Sequence, residues 1–582
     1  MKKIVSLLLT LSILVLCVSA LSSCGAPKDD GAEISVYLGE RIYDFDPTDY
    51  YVDSNAESVM SLLFEPLFKL TAKGKLECAM AKDYDVDEDE RTIVITLRES
   101  YWSDGALVKA EDYVYSWCNV LLNPNNANPA AALFYDIENA AEIKNGTESS
   151  LYEFGAVATG TDELTITYRE GADYKQLLKN LSTVASAPIR QDIATEYTSG
   201  YWSKLVNSAI SNGPFMIGNI NEEENAFSLV RNVGYHQPTT TVDYDNNVKP
   251  GQLVSVLTRF GEEEITYDDI ANKTVFYMSD ASLEDRKENK GNAVVADDFS
   301  TYSYVFNMDN PLFAIKEVRQ ALSMVIDRNA IIDAITFGKA ATGFLPDVVL
   351  DTATNKTFRQ NALISASAKL GEASALLENV DFTGIDTKFE LTVNDDEESL
   401  AIAELVKAAW ESLGHGISVT IDAVDTVSAK ISDGSTILDS KIQLLVNEAS
   451  RGVRNFDVIA VDWQMYSTDA FVALAAFSTE YSGCGVELPY LTKSYGSFGG
   501  WSDAEYDKLI DDAYNTSDKA KRSEYLHSAE SMLVDSACIV PLVYNQNFAF
   551  MSKDLSKVVA DGYGHFGFNN AKQKNYEDYL EK

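Results

Sequence analysis

Between residues 370 and 460 the chain alternates between two kinds of segment. Amphipathic stretches at 370–377 and 401–413 each precede a strand-like run, Phe389-Glu390-Leu391-Thr392-Val393 and Ile417-Ser418-Val419-Thr420-Ile421. A third such run is Phe456-Asp457-Val458-Ile459-Ala460. Apolar positions recur at helical spacing in the first kind and as short β-type runs in the second. Helix and strand in turn predict an α/β domain whose sheet lies between helices. Further amphipathic segments at 315–325, 330–335, 504–514 and 519–534 extend this helix-rich half. The apolar run Ile539-Val540-Pro541-Leu542-Val543-Tyr544 reads as a buried last strand.

The first 300 residues read differently. A strand is expected at 33–38, a short helix at 56–64, and strand-like pieces up to Leu97. The segment 111–122 reads as a helix with Glu111 and Asp112 in its first turn, where the helix dipole favours acids. Tyr113, Trp117 and Val120 share one face of it, and Asn123-Pro124-Asn125-Asn126 ends it. A strand at 164–168 follows, and the turn Ser211-Asn212-Gly213-Pro214 opens a strand-rich segment to Val233.

The N-terminus is a targeting signal. Met1-Lys2-Lys3 is a basic start, 4–20 is almost unbroken apolar, and Leu21-Ser22-Ser23-Cys24 follows. This order predicts a secretory leader at 1–23. Small residues before a cysteine resemble the bacterial lipobox, so Cys24 is the expected lipidation site and 24–32 a flexible tether. The remaining length suits two to four domains. A net charge of −42 repels nucleic acid, which needs Lys and Arg patches. Cys78, Cys118, Cys484 and Cys538 are scattered without pair or metal spacing and are read as free thiols.

No motif assembles a reaction. The histidines, His236, His415, His527 and His565, stand apart and form no zinc pattern, so neither metal nor cofactor is expected. Gly562-Tyr563-Gly564-His565-Phe566-Gly567 satisfies GxGxxG, yet too little chain follows for a crossover and second strand; it reads as a loop. Asp85-Val86-Asp87-Glu88-Asp89 opens like a calcium loop but has Glu90 at the glycine position, and it reads as a hairpin turn before a strand at 91–97. The chain is read as a non-enzyme.

Four segments then carry a resemblance: "LLFEPLF", "YWSDGALVKAEDYVYSW", "NGPFMI" with a later "LVRN", and "EVRQALSMVIDR". Their order is similar to that of family 5 solute-binding proteins, the extracytoplasmic receptors of ABC importers, and within that family to oligopeptide-binding lipoproteins. The resemblance implies a two-lobed periplasmic-binding-protein-like fold of type II, cluster C, with an extra small domain. It places one lobe at 33–63, 186–300 and 541–582, the small insertion at 64–185, and the second lobe at 301–540. It implies a monomer, exported and held on the membrane by its lipid alone, that passes oligopeptides to permease and ATPase subunits. Receptors of the same fold for a nickel chelate, haem, a sugar or a glycopeptide, and a surface sensor without transport, are the alternatives.

The resemblance also points to a site. Trp463 matches a family tryptophan after the Phe456-Asp457-Val458 strand, and Tyr466 stands where an acid usually anchors the ligand's amino terminus. Asp462 and Asp469 are the nearest acids. The family's disulfide positions match Ser300 and Gln464, so that bridge is expected to be absent, and a loop aromatic matches Ala130. Trp463 and Tyr466 are expected to stack on ligand, and Arg451, with Arg454, to clamp a carboxylate. Tyr302, Tyr544, Tyr51 and Asp53 complete the candidates, the last two as a backbone edge. The stretch Tyr101–Trp117 is expected to be scaffold.

Overall fold

A computed structural model describes residues 32–39, 42, 44–48, 54–122, 128–146, 150–196, 203, 209–221, 226–236, 253–259, 265–430, 436–482 and 498–574. The leader, Cys24, the tether, Tyr51, Asp53, Asn123 to Asn126 and Cys484 lie outside the described residues.

One sheet runs through the molecule. Its strands are β1 (Ala32–Tyr37), β2 (Phe215–Asn221), β3 (Ala226–Arg231), β4 (Leu253–Arg259), β5 (Tyr277–Met278), β6 (Val294–Phe306), β7 (Lys339–Ala340), β8 (Lys388–Asn394), β9 (Ser418–Val424), β10 (Val458–Gln464) and β11 (Ile539–Met551). They lie in the order β9-β8-β10-β6-β11-β5-β1-β4-β3-β2, with β7 on β11. The expected alternation is present. Parallel β8 and β9 are joined by helix Glu397–Glu411, and β10 lies parallel to β8 on its other side. Val458, Ala460, Leu391 and Val393 pack under Trp410, Val406 and Ile402 of that helix. Trp410 also donates its indole N–H to the Leu322 carbonyl at 2.9 Å.

The two halves of the sheet meet at β6 and β11, each 13 residues long. Val294 to Asp297 pair with residues 546–549 and Thr301 to Val305 with residues 539–544, while register breaks fall between Asp297 and Thr301 and between Tyr302 and Ser303. The second break has a cause in the sequence. Pro541 stands opposite Ser303 and has no N–H for the ladder. The boundaries that the resemblance implies at 300/301 and 540/541 fall inside these strands.

The segment 64–185 carries its own four-stranded sheet, in the order Ala81–Asp87, Thr92–Leu97, Glu163–Thr167, Ala156–Ala158. The aspartate run is a hairpin turn, with Asp87 accepting from the Asp89 and Glu90 N–H groups. The aromatic-rich stretch is scaffold. Trp102 donates to Asp112 at 3.1 Å, and Asp112 also accepts from the Lys109 N–H at 2.9 Å. The acid three residues into the helix therefore supplies the cap that Lys109 cannot. The helix is not regular to its end: α-helical turns cover Ala110–Tyr115, and wider π-type turns follow at Ser116–Leu121. There Trp117 donates to the Ser186 carbonyl at 2.8 Å. In the glycine-rich segment, 562–565 form a turn, with the Gly562 N–H bonded to the Leu70 carbonyl, while Phe566–Gly567 is a short strand paired with Val559–Ala560 rather than loop. Cys78 and Cys538 are free thiols, and Cys118 is buried in the core. No helix among the described residues is long and apolar enough to cross a membrane.

Candidate functional site

Strands ending at one place build a chamber. Leu38 and Gly39 follow β1, Ser279 and Asp280 follow β5, and Asn394 and Asp396 close β8. These are carboxyl ends of strands from both halves of the sheet, where open α/β sheets present ligands. The β6–β11 ribbon lines the wall with Asp298, Tyr302 and Asn545 to Phe548, and β10 adds Asp462. As the described residues bound it, the chamber holds about 250 Å³.

Local geometry explains why these side chains gather. Asp462 lies directly opposite Tyr302 in the antiparallel register of β10 and β6, so both point to one face. Asn545 donates to Asp462 Oδ1 at 2.6 Å and to Ser300 Oγ at 2.8 Å, and Ser300 donates to Asp298 Oδ2 at 2.5 Å. These links occupy the stretch where the β6–β11 ladder breaks. Asp396 caps helix Glu397–Glu411 by accepting from the Ser399 N–H at 2.8 Å. Gly39 has φ +86, and a Cβ there would lie 3.0 Å from Asp280 Cβ. The site thus needs glycine where β1 meets β5.

Charge in the chamber is unbalanced toward acid. Asp280, Asp298, Asp396, Glu398 and Asp462 line it with Arg286. Arg286 binds Asp280 at 3.0 Å and pairs with Glu398 on the opposite half. Burial alone would lower the Arg286 pKa, but the Glu398 and Asp280 carboxylates outweigh that and raise it. Leu283 N–H donates to Glu397 at 2.9 Å beside this pair. Burial pushes the Asp298 carboxyl up, offset in part by His565, and pushes the Tyr302 hydroxyl well above its usual range.

The expected site residues separate. Asp462 and Tyr302 line the chamber. Trp463, next in sequence, faces the other way and stacks on Phe477 at 4.8 Å and Phe498 at 5.6 Å. Tyr466 is buried with a left-handed φ of +58, an unusual backbone for a bulky residue. Asp469 caps the helix Ala470–Ala475 and takes both guanidinium nitrogens of Arg522, at 2.9 and 2.7 Å. Tyr544 accepts from the Thr342 N–H and donates to the Gly343 carbonyl, both at 3.1 Å. Arg451 is exposed at the end of helix Lys441–Ala449, and Arg454 pairs with Asp309 at 3.0 Å. Ser300 and Gln464 face each other in register, and Ala130 is buried.

Sequence reasoning missed Asp280, Arg286, Asp396, Glu398, Asn545 and Asn547. Two signals were available. Asn394-Asp395-Asp396 stands between a predicted strand and a predicted helix, and Asn545-Gln546-Asn547 interrupts an otherwise apolar strand. A larger groove of about 860 Å³ lies between 57–79 and 557–570, but no lining residue comes from 301–540. Closure of the halves cannot enclose a ligand there, so the smaller chamber is the better candidate.

The halves are drawn together. Ser467 donates to Asn180 at 2.6 Å, Tyr514 to the Tyr135 carbonyl at 2.9 Å, and Lys519 to Asp173 at 2.5 Å, all between 64–185 and the helix-rich half. The whole shape has known counterparts. The chain superimposes on Listeria monocytogenes OppA bound to peptide with a TM-score of 0.75 at 19% identity, covering 93% of this chain and 99% of that one. For the Escherichia coli murein tripeptide binding protein MppA the values are 0.73 and 21%, over 93% and 98%. The unliganded open form of MppA gives 0.55 at 21% identity, over 93% and 97%. In sequence, the chain is 24% identical over 530 residues to the oligopeptide-binding protein OppA of Bacillus subtilis, covering 89% of each. Residues 75–483 match the family model described as bacterial extracellular solute-binding proteins, family 5, middle. With most of its length inside that match, and a chamber where two halves of an α/β sheet meet, the chain belongs to the family 5 bacterial extracellular solute-binding proteins.

Proposed function

We propose that the protein captures short oligopeptides in the chamber and delivers them to the permease and ATPase subunits of an ABC importer. It acts as a monomer, exported and tethered outside the cytoplasm through acyl chains on Cys24. The lobes are 33–63 with 186–300 and 541–582, and 301–540; residues 64–185 form the small domain. The observation that carries the reading is the convergence of strand ends from both halves on one polar chamber, latched by Arg286 and Glu398. Ligand then belongs to the closed state, and binding shifts the population toward it. The volume of about 250 Å³ is near the small end of ligand cavities, which suits a short peptide better than a haem. Of the two acids near the position held by Tyr466, Asp469 is engaged by Arg522 while Asp462 faces the chamber. Asp462 is therefore the acid assigned to the ligand.

Mass spectrometry of small molecules released from the purified protein tests the reading. Mixed short peptides are the expected result; one non-peptide solute would replace peptide as the ligand class. Calorimetry with alanine peptides of two to six residues gives a second arm. Asp462→Asn should weaken their binding about tenfold or more with an unchanged melting temperature. Equal affinity would take Asp462 out of the site.

A further inference from the structure

Gln464 ends β10, opposite Ser300 and two residues beyond Asp462. By the two-residue period of a strand it shares the Asp462 face. Its side chain is 1% exposed, and neither Nε2 nor Oε1 has a hydrogen-bond partner among the described residues. The groups around it are committed elsewhere. Ser300 gives its proton to Asp298 and accepts from Asn545, and Asn545 also donates to Asp462. A primary amide has thus been left out of the hydrogen-bonded chain that joins Asp298, Ser300, Asn545 and Asp462. Burying both its donor and its acceptor unmet is expensive. The chain immediately after it turns through Tyr466 at φ +58, a strained conformation of the kind found beside ligands.

We infer that Gln464 is a ligand-reading residue whose carboxamide pairs with one peptide unit of the bound solute, making closure of the halves conditional on occupancy. A peptide unit carries one N–H and one C=O, the two groups that Oε1 and Nε2 lack. In an open molecule water satisfies the carboxamide. Closing on an empty chamber strips that water without replacement; closing on a peptide replaces it. The inference rests on the proposed peptide reading for the identity of the ligand, but the cost of empty closure does not.

Gln464→Met keeps the side chain's length and removes both polar atoms; Gln464→Leu is the second variant should the first fold poorly. In the ligand-free full-length protein, the substitution should raise the melting temperature. It should also raise the closed fraction about tenfold, read from inter-lobe distances by spin-label spectroscopy. Alanine peptides of two to six residues should bind the variant at least tenfold more weakly by calorimetry. Replacing one peptide amide by an ester should weaken binding to the wild type and leave the variant unaffected. A lower melting temperature, or an affinity equal to wild type, overturns the inference, because the amide is then satisfied by the protein or by trapped water. If the wild type takes up no alanine peptide, the peptide reading fails. The ligand-free arm then decides alone: a raised closed fraction supports the closing role, and an unchanged one overturns it.

Discussion

At the scale of single residues, neighbours in sequence have opposite fates. Asp462 and Trp463 were both legible as site candidates, because the motif around them fixes the strand but not which side of it faces the cavity. The pleat decides: Asp462 turns to the chamber and Trp463 to a stack with Phe477 and Phe498. Trp463→Ala should therefore cost about 3–5 kcal/mol of stability, measured by denaturant unfolding; a loss below about 1 kcal/mol would show the ring is not core. His565 gives a second case that isolation in sequence concealed. Its Nε2 lies 3.6 Å from Glu57 and 3.9 Å from Asp298, and its Nδ1 3.9 Å from Asp561. Burial would lower its pKa, but the Glu57, Asp561 and Asp298 carboxylates together raise it above the usual value. A histidine with a raised folded pKa stabilises fully below its unfolded value of about 6.5 and loses that contribution as pH rises through the folded one. The melting temperature should fall across that interval in the wild type and change less in His565→Gln. Parallel curves for the two proteins would refute this.

Elements were the most legible level. Regular apolar spacing marked the helix Glu397–Glu411 and the strands on either side of it, because packing against one core imposes period on sequence. The same rule explains what was missed. β6 and β11 run for 13 residues each, but Asp297-Asp298 and Asn545-Gln546-Asn547 break their apolar pattern where the wall turns polar, and only 539–544 read as strand. Departure from pattern here coincides with the lining of the candidate chamber. The helix Ala470–Ala475 tests another element-level contact. Asp469 begins it and holds Arg522, with both side chains largely buried. Asp469→Asn preserves the capping oxygen but strands the guanidinium, so a loss of about 3–5 kcal/mol is expected. A loss confined to about 1 kcal/mol, the size of a cap alone, would mean that solvent reaches Arg522.

For the whole molecule, four ordered motifs pointed to family and fold, yet the chamber stayed invisible. Its residues come from positions as far apart as Leu38 and Phe548, and only the folded sheet brings them together. The pair Arg286–Glu398 joins the halves at that place. Arg286→Met should weaken binding of alanine peptides about tenfold by leaving Glu398 buried and unpaired on closing. Adding Glu398→Gln should restore part of the loss, a coupling that calorimetry on the four proteins of the cycle would measure. Strictly additive effects would place the two side chains in separate roles.

The paired strands β6 and β11 carry one more implication. Two strands hydrogen-bonded into one ribbon resist shear and twisting but flex where their ladder is interrupted, beside Asp298 and Pro541. Such a leaf spring swings about a fixed axis, unlike a pair of slack loops. Under the proposed transport role, each occupied molecule would present the same outer contour whatever side chains its ligand carries, and a docking partner would need to recognise only a single shape.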